Sequence, residues 1–496
     1  GRGYMAWMDE PNRHTPFKEK IRSSNLCTEI FEPTSPYQHI ADLYRDEDPG
    51  YIRIEVEGSS LQLLLPWSSP VQRQNHTTWA GDLKVGDTFT HDRGTATVTR
   101  IIERRPSPEV ALCSLAGIVI SNVKDDEEYA LATYYALLMV DKCIHQAEYE
   151  LPHVGYTAKM RMNAGVGVTG LATHLARKNL KYSSVEGKIE QHKLAETHAF
   201  HLISASLKLG KELGNAPWMY KTKWPEGWLP IDTYAKSVDE IADFKLERDW
   251  EGLRAAIIAN GGIRNSVTTS FMPTESSSKA SGAPNSLYPA RFLSMLKTDE
   301  HTIIDWVAPD NDIIGDQYEL AFDVPTDDLI DGYAIWQKFT DQGISADTYR
   351  RIGAGEVVTS EEMLKGFLHK TKRGLKSTYY TNSLTSKAAN KPTEDAQTPM
   401  TTLNLEVPAA SPLVSEVSAV PVSLIGNPVP SPLAPSLDGR QFSTQGFKHV
   451  SEGMSALDRI AAAARAQMAA PANADDEEGV FVGNDGPVCT SGGCSL

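Results

Sequence analysis

The sequence predicts a mixed α/β body, interrupted by a small β-rich insertion and followed by a long extended tail. Three observations predict it. Over residues 1–44 and 108–384, helix signals alternate with short strand-like runs, the pattern of a parallel sheet or barrel. Residues 45–107 change to period-two alternation punctuated by turns. From 385 to 496, Pro, Ser and Ala dominate and the apolar periodicity is lost.

The body's elements follow from local signals. From 124 to 150, acidic residues lead an apolar run at helical spacing, which suits the positive end of a helix dipole. The spacing predicts a longer helix over 184–213, with Ser183 and Glu186 as a capping box and Gly214 just past its end. Asp249 caps WEGLRAAIIAN, which Gly261 and Gly262 stop. A Thr- and Val-rich run, Arg264 to Phe271, reads as a strand. Thr359 and Glu362 box a later helix that leads into a strand-like STYYTNS at 377–383.

In the insertion, Ile52, Ile54 and Val56 alternate with polar residues. Gly58, Ser59 and Ser60 form a turn, Leu61 to Leu65 a second strand, and HDRG at 91–94 turns into a strand carrying Val98, Ile101 and Ile102. The phrase GDLKVGDTF is similar to a segment of intein and hedgehog-type β-folds, but no splice-junction chemistry accompanies it and the insertion reads as passive. In the tail, 450–470 can form one short helix.

The net charge of −16 argues against a general nucleic-acid or membrane-surface binder. An anionic substrate stays open, since helix N-termini bind phosphate without a basic surface. No apolar run reaches the ~18 residues of a membrane span. The chain opens with neither a signal segment nor an initiator Met, as expected of a fragment lacking its N-terminal part. Five cysteines in 496 residues fit a reducing, cytoplasmic compartment with buried or redox-active thiols, and none sits at zinc-site spacing.

Several segments carry chemistry. Asn25, Cys27 and Glu29 alternate in SSNLCTEI, so an extended backbone would turn an amide, a thiol and a carboxylate to one face. That set suits a reactive sulfur with an orienting group and a base; a buried structural Cys is the competing reading. Cys113 lies in the strand-like EVALCSLAG, and Cys143, on an apolar helix face, is assigned to the core. FMPTESSSKASG follows a strand with a Pro, hydroxyls and exposed amides, either a phosphate cradle or a polar turn. Tyr379 and Tyr380 should face opposite sides of a strand unless the backbone twists to pair them. Cys489 and Cys494, near the end of a mobile tail, suit a dithiol shuttle that enters a site, exchanges and swings out.

The ordered set SNLCTEI, ALCSLAG, GGIRNSVTTSFMPTESSSKASG, LKSTYYTNS and a terminal C-x-x-x-x-C resembles the large, catalytic subunit of class I ribonucleotide reductase. NRHTPF, MNAGVGVTGLATHLA, LPIDTY and QKFTDQGISADTY match between them. The resemblance covers most of 9–384 outside the insertion, plus the last residues.

It implies the C-terminal half of a ten-stranded α/β barrel with a finger loop, and reduction of ribonucleoside diphosphates by thiyl-radical chemistry. Cys27 would be the thiyl, Glu29 the proton acceptor and Asn25 a substrate hydrogen-bond partner. Asn25, Leu26, Cys27, Thr28 and Glu29 would line the substrate, and Pro273, Thr274, Glu275, Ser276 and Ser277 its phosphates. Cys113 would be one of two reducing thiols, and Tyr379 and Tyr380 the relay for a radical from a metal-containing small subunit. Cys489 and Cys494 would re-reduce the active-site disulfide and be reduced by thioredoxin or glutaredoxin. The resemblance implies no metal or cofactor in this chain, a homo-oligomer, and nucleotide effectors on an N-terminal half. No cysteine precedes Cys27, so the second reducing thiol is missing and that half must act in trans or belong to a longer chain. A cobalamin-dependent reductase, which needs no tyrosine relay, and a non-catalytic remnant are the alternatives.

Overall fold

The computed structural model describes residues 4–385 apart from 75, 93, 299–302 and 354–355. Cys489, Cys494 and the helix expected at 450–470 lie outside the described residues.

A short helix, α1 (Asp9–Arg13), opens the described chain. The region from Tyr51 to Arg105 then folds as one antiparallel sheet, β1 (Tyr51–Val56), β2 (Gln62–Pro66), β3 (Pro70–Arg73), β4 (His76–Trp79), β5 (Thr88–His91) and β6 (Gly94–Arg105). Its strand order is β2-β1-β6-β5-β3-β4. The alternation seen in the sequence becomes a core of its own: Ile52, Ile54, Leu65, Val71, Phe89 and Val98 are buried together. Polar contacts seat the sheet on the body. Tyr220 Oη donates to the Ser68 carbonyl, Lys221 Nζ donates to Ser68 Oγ at 3.1 Å, and Arg105 pairs with Asp42 at 2.7 Å.

The body resumes with β7 (Ser114–Val119), α2 (Asp126–Gln146), α3 (Pro152–Arg161), β8 (Ala164–Thr169) and α4 (Leu171–Arg177). β7 and β8 pair in parallel from Ser114–Ala164 to Val119–Thr169. A parallel pair needs a crossover, which α2 and α3 supply. Every residue of β8 is buried, as expected of a parallel strand covered on both faces. α2 is capped by the Asp125 side chain on Glu128 N.

The long helix α5 (Val185–Leu213) packs on α2. Its cap is Ser184, which accepts from Gly187 N, and not Ser183; Ser183 instead donates to Glu319 Oε1 at 2.6 Å. Gly214 ends the helix with φ 86°, a conformation that costs glycine little. α6 (Pro230–Thr233) and α7 (Trp250–Ala259) follow, the latter capped by Asp249 as its sequence predicts.

The run 264–271 is buried but forms no regular strand. Its backbone receives Ala164 N at Val267 O and Val166 N at Thr268 O, and Phe271 makes one parallel bridge to Ile344. Phe271 N donates to Gly343 O, and Thr269 O and Phe271 O accept from Gln342 N and Ser345 N, while the Asp341 carboxylate takes Thr268 N and Thr269 N. β7, β8, 267–271 and 342–345 therefore lie side by side in one array.

α8 (Glu275–Ala280), the hairpin β9 (Ser294–Thr298) and β10 (Ile303–Val307), α9 (Asn311–Ile314) and α10 (Thr326–Gln337) come next. β11 (Thr348–Ile352), α11 (Ser360–Lys372) and β12 (Thr381–Thr385) close the described chain, with β11 and β12 parallel. The Thr359–Glu362 capping box forms at α11. β12 starts at Thr381, so Tyr379 and Tyr380 lie before the strand expected to hold them.

The main core joins Leu137 and Val140 of α2, Leu202 and Ile203 of α5, Val166 and Val168 of β8, and Trp336 of α10. Each such fully buried aliphatic contributes ~1.5–3 kcal/mol. Cys143 is exposed, contrary to its assignment to the core, because it sits just off the α2 sector that buries Val140 and Ile144.

Candidate active site

The segment around Cys27 is a tight turn, not the extended run its alternation suggests. Asn25 builds the turn: its Oδ1 accepts from Glu29 N and Ile30 N, both at 3.1 Å, while its own N–H reaches Ile30 O. Thr28 takes a left-handed φ of 64°, uncommon for a β-branched residue. Contacts from the far end of the chain hold it there, since Ser377 Oγ donates to Thr28 O and Thr28 Oγ1 donates to Thr378 O.

The turn still brings Asn25 and Glu29 together: Asn25 Nδ2 donates to Glu29 Oε1 at 2.9 Å. Ser345 Oγ lies 2.7 Å from Cys27 O and 3.1 Å from Glu29 Oε2, so its single proton serves either. Gly343 N donates to Glu29 O at 2.7 Å. Burial pushes the Glu29 carboxyl up from its usual range, against the Asn25 hydrogen bond, which suits a proton acceptor. Cys27 itself is half-buried and Leu26 exposed.

Tyr379 Oη lies 3.3 Å from Cys27 Sγ and donates toward it. The Tyr379 and Tyr380 rings meet at 4.3 Å between centroids, inclined by 57°. Tyr4 stacks on Tyr379 at 5.6 Å and meets Tyr380 edge-on at 6.0 Å. Asp347 fixes this corner: it accepts from Tyr380 N at 3.2 Å, Asn382 Nδ2 at 3.1 Å, Tyr349 Oη at 3.2 Å and Arg291 at 3.2 Å. Burial outweighs Arg291 and lifts the Asp347 carboxyl to about 6.

Cys113 stands immediately before β7, half-buried over the backbone of β8. A Cβ on Gly165 would sit 3.2 Å from its sulfur and 2.2 Å from Ser270 Oγ, so only glycine fits there. Gln342 ties the two cysteine segments together. Its Oε1 accepts from Phe31 N at 2.7 Å, and its Nε2 reaches Glu32 Oε1 at 2.9 Å and Cys113 Sγ at 3.4 Å. Burial, then the neighbouring Glu32, pushes the Cys113 thiol well up.

The third segment leads into α8. Thr274 N and Oγ1 both donate to Asn285 Oδ1, at 2.7 and 3.0 Å, and Asn285 Nδ2 donates to Glu275 Oε1 at 2.8 Å. Ser277 Oγ donates to Thr274 O, Ser276 and Ser277 are exposed, and Pro273 is half-exposed. Ser278 N is the first amide of the helix to close, onto Thr274 O. The amides before it are the donors a helix start leaves for an outside acceptor. Gly117 of β7 faces the Thr274 methyl, which sets this loop at the end of the β7–β8 pair.

The sequence alone does not single out Gln342, Ser345 and Asp347, although the stretch QKFTDQGISADTY holds them. Nor does it single out Glu32 and Tyr4, which carry no local pattern and acquire neighbours only through the fold.

A family model described as the ribonucleotide reductase barrel domain matches residues 1–308. An alpha subunit of ribonucleoside-diphosphate reductase from Haemophilus influenzae is 30% identical over 393 residues, covering 77% of this chain and 43% of the relative. One from Buchnera aphidicola subsp. Baizongia pistaciae is 29% identical over 406 residues, covering 80% of this chain and 44% of the relative. The alpha subunit of ribonucleoside-diphosphate reductase 1 from Escherichia coli (strain K12) is 38% identical over 243 residues, covering 48% of this chain and 31% of the relative. The chain thus spans less than half the length of these relatives. With that family match and those relatives set beside the cysteine, carboxylate and tyrosine geometry, the chain belongs to the ribonucleotide reductase barrel-domain family, among the large subunits of class I.

Proposed function

We propose that this chain supplies the radical-bearing half of a ribonucleoside-diphosphate reductase. The observation that carries this reading is the contact of Tyr379 Oη with Cys27 Sγ, in a turn that also positions Glu29 and Asn25. A radical from a metal-containing small subunit would pass through Tyr380 and Tyr379 to Cys27. The Cys27 thiyl would take the 3′ hydrogen of the ribose while Glu29 takes the 3′-hydroxyl proton and Asn25 holds the substrate, with Leu26 and Thr28 lining it. The 2′-hydroxyl would then leave as water.

Cys113 and a second thiol from outside these 496 residues would give the two reducing equivalents and become a disulfide. Pro273, Thr274, Glu275, Ser276 and Ser277 would seat the substrate phosphates at the start of α8. Cys489 and Cys494 would reduce the disulfide and be reduced in turn by thioredoxin or glutaredoxin. An N-terminal half would complete the ten-stranded barrel and carry the nucleotide-effector sites, in a cytoplasmic homo-oligomer.

Mixing this chain with such a half, a small subunit, a diphosphate substrate and a dithiol tests the reading. Deoxyribonucleoside diphosphate should form only when all are present. A mixture that binds nucleotide and small subunit yet yields no product supports the non-catalytic remnant instead.

A further inference from the structure

Glu32 is a buried carboxyl that the roles above leave unused. It is 2% exposed, five residues beyond Cys27, on the strand-like return from the turn. Gln342 Nε2 donates to its Oε1, and its Oε2 makes no hydrogen bond among the described residues. A buried carboxyl oxygen is costly to leave without a donor. The groups beside it are the Cys113 thiol and the Asn163 amide, whose Oδ1 is also without a hydrogen bond. The same Gln342 nitrogen that holds Glu32 reaches the Cys113 sulfur.

We propose that Glu32 is the proton store for Cys113: it takes the thiol proton when Cys113 becomes a thiolate and returns it when Cys113 is released from a disulfide. The proposal rests on the reading of Cys113 as a redox thiol. A dithiol reductant loses one proton, and its thiolate attacks the second sulfur of the Cys113 disulfide. The S–S bond breaks with its electron pair on Cys113 Sγ, and the Glu32 carboxyl proton moves to that sulfur. The proton shed by the reductant refills Glu32. The reductant's other thiol then loses its proton, closes on the first as a disulfide, and releases the second sulfur to take that proton.

The surroundings favour a carboxyl that holds a proton near neutrality. Burial raises Glu32 to about 7, against the Gln342 hydrogen bond. Glu109 faces it from the segment before β7, itself paired with Arg161 at 2.7 Å. Cys113 is faced by Glu32, Asp341 and Glu29, all of which disfavour a thiolate. Lys376 Nζ, donating to the carbonyls of Asp341 and Gln342, is the cation acting on Asp341.

Alkylation of Cys113 by iodoacetamide in the full chain, followed on its own peptide by mass spectrometry from about pH 5 to about pH 10, tests this without turnover. The wild-type profile should show an inflection near pH 7 besides the thiol's own. Glu32→Gln should remove that inflection, lower the thiol midpoint by roughly one pH unit, and raise reactivity about twofold at pH 7 and toward about tenfold by pH 9. Glu32→Asp should keep the inflection. Coincident wild-type and Glu32→Gln profiles, with Cys27 alkylation unchanged as a control for an intact site, would overturn the proposal. Product formation by the assembled enzyme is scored separately, so its absence bears on the redox reading and leaves the alkylation result to judge the proton store.

Discussion

Tyr379 Oη and Cys27 Sγ sit 3.3 Å apart although 352 residues separate them in the chain. The contact is made by two segments that hold each other: Ser377 Oγ pins Thr28 O, and Thr28 Oγ1 reaches back to Thr378 O. A hydrogen bond between a phenol and a thiol is the geometry through which an electron and a proton can move together. Burial, and then the Cys27 contact, push the Tyr379 phenol well above its ordinary value, so it keeps its proton.

Tyr379→Phe removes that hydroxyl and little else. Deoxynucleotide formation with the small subunit should fall to background while equilibrium binding of a diphosphate stays within about twofold of wild type, or ~0.4 kcal/mol. Radioligand binding and product assay on the same preparation check it. Retained turnover would show that the radical reaches Cys27 by another route.

Gly165→Ala places a methyl 2.2 Å from Ser270 Oγ and 2.6 Å from Leu115 Cδ2, between strands that cannot part without losing their ladder. The overpacking should cost roughly 1–3 kcal/mol. A urea titration read by tryptophan fluorescence measures it, and Cys113 alkylation should change in parallel because the same methyl lies 3.2 Å from its sulfur.

Glu32 makes stability depend on pH. Its carboxyl is raised from 4.5 to about 7 in the folded chain. The folded state therefore keeps its proton where the unfolded state has lost it, and the group's contribution is fully present below about pH 4.5 and lost as pH rises through about 7. The loss is on the order of 2–3 kcal/mol between about pH 5 and pH 8. Glu32→Gln should be free of that fall. Urea midpoints of both proteins at the two pH values give the double difference, in which the raised Asp341 and Asp347, common to both, cancel.

Cys489→Ser removes one arm of the terminal dithiol. Turnover of the assembled enzyme with thioredoxin should drop at least about tenfold, while dithiothreitol, small enough to reach Cys113 directly, should keep part of the activity. Equal loss with both reductants would remove the shuttle from the account.

Local signals are legible where the cause is local. Asp249 and the Thr359–Glu362 box cap their helices, and the alternation of Ile52 and Ile54 produces a buried sheet face. Ser183, the expected cap, is instead bound to Glu319, and Ser184 caps the helix in its place. Asn25 and Glu29 meet as expected but for a different reason: the amide side chain folds a turn around itself, which period-two spacing cannot show. Tyr379 and Tyr380 pair because Asp347 holds Tyr380 N before the strand begins. Glu32, Gln342 and Asp347 gain meaning only from neighbours tens to hundreds of residues away.

The most direct test of the central claim is Cys27→Ser in the assembled enzyme, assayed with thioredoxin and with dithiothreitol. An alcohol of the same size cannot carry the sulfur-centred radical, so diphosphate reduction should be abolished under both reductants while nucleotide binding remains. Deoxyribonucleotide formed by that variant above background would contradict the assignment of Cys27 as the radical site.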